Sequence, residues 1–173
     1  NRFLNKCRKK NSTIIYDPNF RKPHLSELHK LMPLIELNLK AAHIVKASND
    51  DLENIFGVSN PDQAWETLKK YATQVLIYTM GENGAWVYTK NEKAFFASKK
   101  INVLSTVGAG DTFSSGIIYY LHHKKEQGLR FTDFTMSQWK ECLETATEFA
   151  AETCESYDNY LSDSFAQKYR NVQ

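Results

Sequence analysis

Asp111 is the residue whose surroundings point most directly to chemistry. It stands in Thr106-Val107-Gly108-Ala109-Gly110-Asp111-Thr112-Phe113, after the apolar residues Ile101, Val103 and Leu104 and before an apolar run at 117–121. The pattern reads as a glycine-rich loop opening a helix. Gly108 and Gly110 leave the backbone bare and allow positive φ. The first amides of a helix have no intrahelical acceptors and lie at the positive end of its dipole, so an anion, phosphate above all, is the natural guest. A carboxylate in that first turn adds a proton acceptor beside amides able to stabilise a phosphoryl group in transfer. A tight turn followed by an ordinary capping acid explains the same residues, and the loop alone leaves both readings open. Spacing excludes two commoner phosphate motifs. A Walker A loop needs Lys-Ser/Thr where Asp111-Thr112 stands, and a dinucleotide fingerprint needs a small residue where Phe113 stands.

Three further segments carry polar groups at places where a sheet could present them. Asp17-Pro18-Asn19-Phe20-Arg21-Lys22-Pro23 follows a β-branched run, and its two prolines forbid a regular helix. Taken alone it is a turn with a surface Arg, although the C-terminal edge of an open α/β sheet is where ligands bind. In Ser48-Asn49-Asp50-Asp51, Ser48 can cap a helix with Asp51 as a capping-box partner, which by itself accounts for all four residues. Met80-Gly81-Glu82-Asn83-Gly84 is a hairpin turn whose glycines the turn itself demands.

Positioning these segments requires an alternation of strands and helices. Strands are expected over 12–16, 43–47, 75–79, 85–88 and 93–98. A helix is expected over 25–40, with Leu25, Leu28, Met32, Ile35 and Leu39 as its apolar stripe and Pro33 placed to kink it. Another is expected over 61–71, with Trp65, Leu68 and Tyr71-Ala72 turned inward. Residues 1–10 have helical character, Phe3, Leu4 and Cys7 sharing a face. Gly128 closes the long helix that the glycine-rich loop opens. A second long helix over 137–154, rich in Ala146, Ala150 and Ala151, can approach its neighbour closely, and 157–173 forms an amphipathic surface end. This order of elements predicts an α/β layer with a largely parallel sheet.

Composition sets the outer bounds. The 173 residues suffice for one domain, 1–173, with a sizeable core; 42% are hydrophobic and 24% charged. No apolar run approaches the roughly 20 residues of a membrane span, so no membrane partner is expected. A net charge of +2 does not argue for nucleic acid, and Arg8-Lys9-Lys10 and Lys124-Lys125 read as solvated helix ends. Cys7, Cys142 and Cys154 are odd in number, with no C-x-x-C and no His at metal spacing, so reduced thiols and no structural zinc are expected. Asn11-Ser12-Thr13 is a chance sequon, and the chain reads as cytoplasmic.

The motif Thr106-Val107-Gly108-Ala109-Gly110-Asp111-Thr112-Phe113 resembles the C-terminal signature of the ribokinase/PfkB carbohydrate kinases, written D-T-x-G-A-G-D. The resemblance implies that the backbone of Gly108, Ala109 and Gly110 forms an anion hole and that Asp111 is the base for a sugar hydroxyl. Ser105 stands where the family has its leading Asp, which in some relatives helps hold a monovalent cation, so potassium activation does not carry over through this position. Tyr16-Asp17-Pro18-Asn19-Phe20-Arg21 resembles the F-D-x-N-x-R segment of fructokinase-like and ketodeoxygluconate-kinase-like members, which implies Asn19 and Arg21 near the sugar or the transferred phosphate. The segment 46–57 resembles the family's K-x-S/N-x-x-E-L…G, which implies that Asp51, one methylene shorter than the usual Glu, helps organise magnesium through water. Thr79-Met80-Gly81-Glu82-Asn83-Gly84-Ala85 resembles the T-x-G-x-x-G-A nucleotide loop, which implies Thr79, Gly81 and Gly84, with Thr106, Gly108 and Gly110, along ATP. The helix over 137–154 would wall the adenine pocket.

The resemblance therefore implies a ribokinase-like, Rossmann-type layered fold that uses ATP and Mg²⁺ to phosphorylate a sugar. It covers the C-terminal, nucleotide-binding portion of the family's pattern, with the N-terminal strands, the Gly-Gly-x-x-x-N sugar segment and the β lid expected to be missing. Sheet edges left by the missing strands would invite pairing with a second copy. A non-catalytic nucleotide-binding or regulatory module derived from such a kinase is the rival reading.

Overall fold

In the computed structural model, which describes residues 2–170, the expected alternation is divided between two units, Asn1–Ala97 and Ser98–Gln173. Asn1 and residues 171–173, the outer ends of the two expected terminal segments, lie outside the described residues.

The first unit runs α1 (Arg2–Lys9), β1 (Ile15–Tyr16), a 3-10 segment (Lys22–Glu27), α2 (Leu28–Ala41), β2 (Ile44–Ser48), α3 (Asn49–Phe56), α4 (Pro61–Leu68), β3 (Val75–Thr79), β4 (Ala85–Thr89) and β5 (Lys93–Phe96). Its strands form one sheet in the order β1-β2-β3-β4-β5. The strands β1, β2 and β3 are parallel, Ile15 lying beside Ile44 and Val45 beside Leu76. The remaining strands are added antiparallel, with Thr79 opposite Ala85 and Trp86 opposite Phe95. Helical crossovers join the parallel strands and short turns join the antiparallel ones, as the connection lengths require. Val45, Ala47, Leu76 and Tyr78 present one face of the sheet to Ile35 and Leu39 of α2, Leu52 and Ile55 of α3, and Ala64 and Leu68 of α4.

Three expectations are corrected in this unit. The strand expected over 12–16 pairs only at Ile15 and Tyr16. Before it, the Ile14 carbonyl accepts from the amides of His43 and Ile44 at 2.9 and 3.2 Å, while the Ile14 amide donates to His43 Nδ1 at 3.0 Å. An imidazole thus takes the place of a backbone rung. The helix expected over 25–40 is α-helical only from Leu28, because Pro23 opens a 3-10 turn that leaves Leu25 44% exposed and outside the stripe. Pro33 sits exposed within α2 and does not divide it. In α1, Phe3 is exposed whereas Leu4 and Cys7 are half-buried, so the three do not share a buried face.

The second unit consists of α5 (Ala109–Glu126), a 3-10 turn (Phe131–Asp133), α6 (Met136–Cys154) and α7 (Asp163–Arg170). Gly128, at φ 82°, donates to the Lys125 carbonyl at 3.0 Å and ends α5 as expected. A capping box between Thr135 and Gln138 starts α6 at Met136. Along the α5–α6 interface, a Cβ on Gly116 would lie 2.6 Å from the Ala146 Cα and 3.2 Å from Phe149 Cγ. The expected close approach of the alanine-rich helix is therefore made at Ala146, against a glycine. The surface end expected over 157–173 contains a docked helix: the rings of Phe165 and Tyr169 meet Phe149 edge-on at 5.1 and 4.8 Å, and the Tyr169 hydroxyl donates to Glu148 Oε2 at 2.5 Å. That hydrogen bond, opposed by burial and aided by Lys168 and Lys99, holds the Glu148 carboxyl below its ordinary range.

Gly116→Ala sets two magnitudes against each other. Helix propensity favours Ala by about 1 kcal/mol, but overpacking against a backbone atom costs about 1–3 kcal/mol. The variant should therefore unfold at a lower urea midpoint than the parent, and a raised midpoint would disprove the close apposition. Acid should loosen α7 through Glu148. A depressed carboxyl stabilises the fold above its unfolded value of 4.5 and ceases to as pH falls through the folded value, so the protection factors of the α7 amides, taken against intrinsic exchange at each pH, should fall as pH drops below that range.

Candidate functional site

The N-terminus of α5 is built around one left-handed residue. Gly108 is the N-cap at φ 84°, and Asp111 is the third helical residue, its side chain exposed. A Cβ at Gly108 would also lie 2.8 Å from the Asn159 carbonyl oxygen, so the position excludes a side chain on two grounds. Gly110 lies within the helix and does not use the positive φ open to it. The Thr112 hydroxyl donates to the Gly108 and Ala109 carbonyls at 3.1 and 3.2 Å, and the Thr112 amide donates to Gly108 at 2.9 Å. The helical ladder thus begins at Thr112, which leaves the amides of Gly110 and Asp111 in the first turn, where helices lack internal acceptors. The Ala109 amide already has a long partner, the Thr106 carbonyl at 3.3 Å.

The stem of the loop is also fixed. Leu104 and Ser105 donate their amides to the Cys154 carbonyl at 2.8 and 3.2 Å, and Ser105 Oγ accepts from the Val107 amide at 3.2 Å. In place of the family's leading Asp, Ser105 thereby closes a local side-chain-to-backbone turn. Asn159 had no signal in the sequence, since its contact with Gly108 spans the length of α5 and α6.

In the first unit the parallel strands β1, β2 and β3 all end at one edge of the sheet, so the segments 17–21, 48–51 and 79–84 emerge together there. Asn19 is held at φ 45°, a conformation Asn tolerates better than most residues and one that gathers at functional positions when it occurs. The turn leaves Asn19 and Arg21 exposed and Phe20 between them buried, and Arg21 Nε donates to Asn19 Oδ1 at 3.5 Å. The two residues expected near the sugar are therefore brought side by side.

Asp51 is 6% exposed and its carboxylate is crowded with donors. Oδ1 accepts from the Phe20 amide at 2.6 Å, and Oδ2 accepts from the Ser48 amide at 2.9 Å and the Ser48 hydroxyl at 2.6 Å. Ser48 Oγ in turn accepts from the Asp51 amide at 3.1 Å, completing the capping box anticipated at the start of α3. Of a carboxylate's roughly four acceptor positions, about one is left. That suits contact with a metal through water and does not suit direct ligation. Among the described residues no cluster of three or more His, Cys, Asp or Glu side chains could hold a metal ion.

The expected nucleotide residues of this unit share one turn. Thr79 Oγ1 donates to the Ala47 carbonyl at 3.5 Å, Gly81 and Gly84 take φ of 56° and 101°, and the Met80 amide donates to the Gly84 carbonyl at 2.8 Å. Thr106, Gly108 and Gly110 belong to the second unit.

The profile of the pfkB family carbohydrate kinases matches residues 2–164, a span that takes in every segment described above. The chain is 31% identical over 113 residues to an ATP-dependent 6-phosphofructokinase of Thermoanaerobacterium thermosaccharolyticum, covering 65% of this chain and 35% of that protein. It is 34% identical over 106 residues to a fructokinase of Rhizobium leguminosarum bv. trifolii, covering 61% and 32%. Among solved structures, aminoimidazole riboside kinase from Salmonella enterica, complexed with aminoimidazole riboside and an ATP analog, superposes with a TM-score of 0.78 at 20% identity, covering 99% of this chain and 56% of that one. Fructokinase from Vibrio cholerae O395, with fructose, ADP and calcium bound, gives 0.78 at 19% identity, covering 95% and 53%. The chain spans about a third of the curated relatives it matches and about half of these solved chains. The structural likeness bears out the ribokinase-like layered fold.

Gly108→Ala should destabilise the second unit. A left-handed Ala costs about 1–2 kcal/mol before the clash with Asn159 is added. Urea unfolding followed by circular dichroism checks this, and a midpoint equal to the parent's would mean that the loop does not need glycine.

Proposed function

Because the chain belongs to the pfkB family of carbohydrate kinases, we propose that it is the C-terminal, nucleotide-binding portion of an enzyme that transfers the γ-phosphoryl group of ATP to a sugar hydroxyl. The observation that carries this reading is Asp111, exposed in the first turn of an 18-residue helix that a left-handed Gly108 opens. Asp111 accepts the proton of the attacking hydroxyl. The amides of the 108–110 loop, Gly110's above all, stabilise charge on the transferred group, a task in which positioned donors and helix dipoles supply most of the effect. The carboxylate separates this reading from a nucleotide-binding module, which has no use for a base.

Arg21, steadied by Asn19, supplies a planar fork suited to phosphate or sugar oxygens. Thr79, Gly81 and Gly84 serve the nucleotide in the first unit, and Thr106, Gly108 and Gly110 serve it in the second. Mg²⁺ neutralises phosphate charge when bound. Of this chain's own residues Asp51, with one acceptor position left, would hold it, through water. The acceptor is fructose or a related sugar, a reading favoured by the fructokinase relatives and by Asp17-Pro18-Asn19-Phe20-Arg21. Among the described residues no helix is long and apolar enough to cross a membrane, and all three cysteines are unpaired, which favours the cytoplasm.

ADP release from Mg·ATP by the intact protein, measured across fructose, fructose 6-phosphate, ribose, ketodeoxygluconate and aminoimidazole riboside, should depend on one sugar. Asp111→Asn should lower kcat by roughly 10²–10⁴-fold while leaving ATP affinity close to the parent's. Near-normal turnover in that variant would remove the base, and release stimulated by no sugar would remove the kinase reading.

A further inference from the structure

Lys46 has no part in the site as described, yet its placement is unusual. It lies in the middle of β2, between two parallel neighbours, and is 6% exposed. Alternation along the strand puts it on the face of Ile44, opposite Val45 and Ala47, and pairs it across β3 with Ile77. An apolar residue would suit that position. Instead its ammonium meets Asp17 Oδ2 at 2.8 Å.

The partner's position explains the arrangement. The register sets Ile15 beside Ile44 and Tyr16 beside Val45, so one further step brings Asp17 beside Lys46. The backbone ladder of β1 stops at Tyr16, and Pro18 has no N–H with which to resume it. The ion pair therefore continues by side chains a pairing that the backbone has given up. Beyond it the chain turns at Asn19, and the next fixed point is the Phe20 amide on Asp51. Asn19 is thus presented by a short loop held by Lys46 at one end and by Asp51 at the other, and Arg21 follows directly on the second pin.

An ion pair with a buried ammonium and a carboxylate 25% exposed adds little net stability over well-packed apolar side chains of similar size, so stability alone gives little reason for one here. Its distinctive property is direction. We propose that Lys46 and Asp17 are positioning residues that set the placement of Arg21 and Asn19, and hence the affinity for the sugar acceptor. The consequence for sugar rests on the kinase reading; the mechanical claim does not.

The test uses the intact protein in two forms. Lys46→Met combined with Asp17→Asn removes both charges and leaves no buried ion alone. Asp17→Glu keeps the pair but displaces its carboxylate by one methylene. Each should melt close to the parent and raise the sugar KM by at least about tenfold with the ATP KM unchanged, since misplacing binding groups by about an ångström costs this much or more. A role confined to stability would move the melting temperature and not this split, and an unchanged sugar KM in either folded variant overturns the proposal. Hydrogen exchange at the Phe20 amide provides a readout that needs no activity: it should quicken at least about tenfold in the double variant. If the parent proves inactive the kinase reading falls, while unchanged Phe20 exchange would overturn the positioning claim by itself.

Discussion

A carboxylate taken out of water must have its lone pairs filled, and the first unit is arranged around that constraint at Asp51. One of its oxygens closes the N-terminal cap of α3 through Ser48, and the other reaches across to the Phe20 amide. A single buried group thereby joins a helix start on one strand's end to a loop on another's. Phe20 is buried beside it, which leaves the residues on either side no direction but outward. The exposed pair Asn19 and Arg21 is a by-product of burying Phe20 and satisfying Asp51.

The second unit solves a different problem, the close approach of backbones, by omitting side chains. Gly108 admits the Asn159 carbonyl, and Gly116 admits the backbone of α6 at Ala146. Between these two points lies the first turn of α5, with Asp111 in it. Helix ends usually fray because few contacts hold them, whereas this one has its cap under Asn159 and its second turn against α6. The tied loop stem at Cys154 adds a third constraint.

Much of this was legible in the sequence, and what was not has a common cause. The capping box at Ser48 and Asp51, the hairpin at 79–85, the helix opened by the glycine-rich loop and its closure at Gly128 all depend on neighbours in the chain, and local chemistry decided them correctly. The misreading at Leu25 came from extending a helical pattern one turn too far, into a 3-10 segment. The shortness of β1 could not be foreseen, because its first rung is supplied by the ring of His43, about thirty residues away. The contacts of Asp17 with Lys46, of Phe20 with Asp51 and of Gly108 with Asn159 each need a register or a packing that no local spacing encodes. The site's residue types could be read from the chain, but the groups that aim them could not.

The contact at Gly116 also makes α5 a lever. Asp111 lies five positions before it, about 7.5 Å of helix, so the carboxylate rides a short arm on a pivot set by the Ala146 backbone. For the base proposed at Asp111, the roughly 0.5 Å tolerance usual for reacting groups corresponds, on an arm of that length, to a tilt of about 4°. Sub-ångström repacking between α5 and α6, well away from any phosphate, would spend that tolerance. The angular stiffness of one helix-helix crossing is thus part of the precision with which this chain holds its acid.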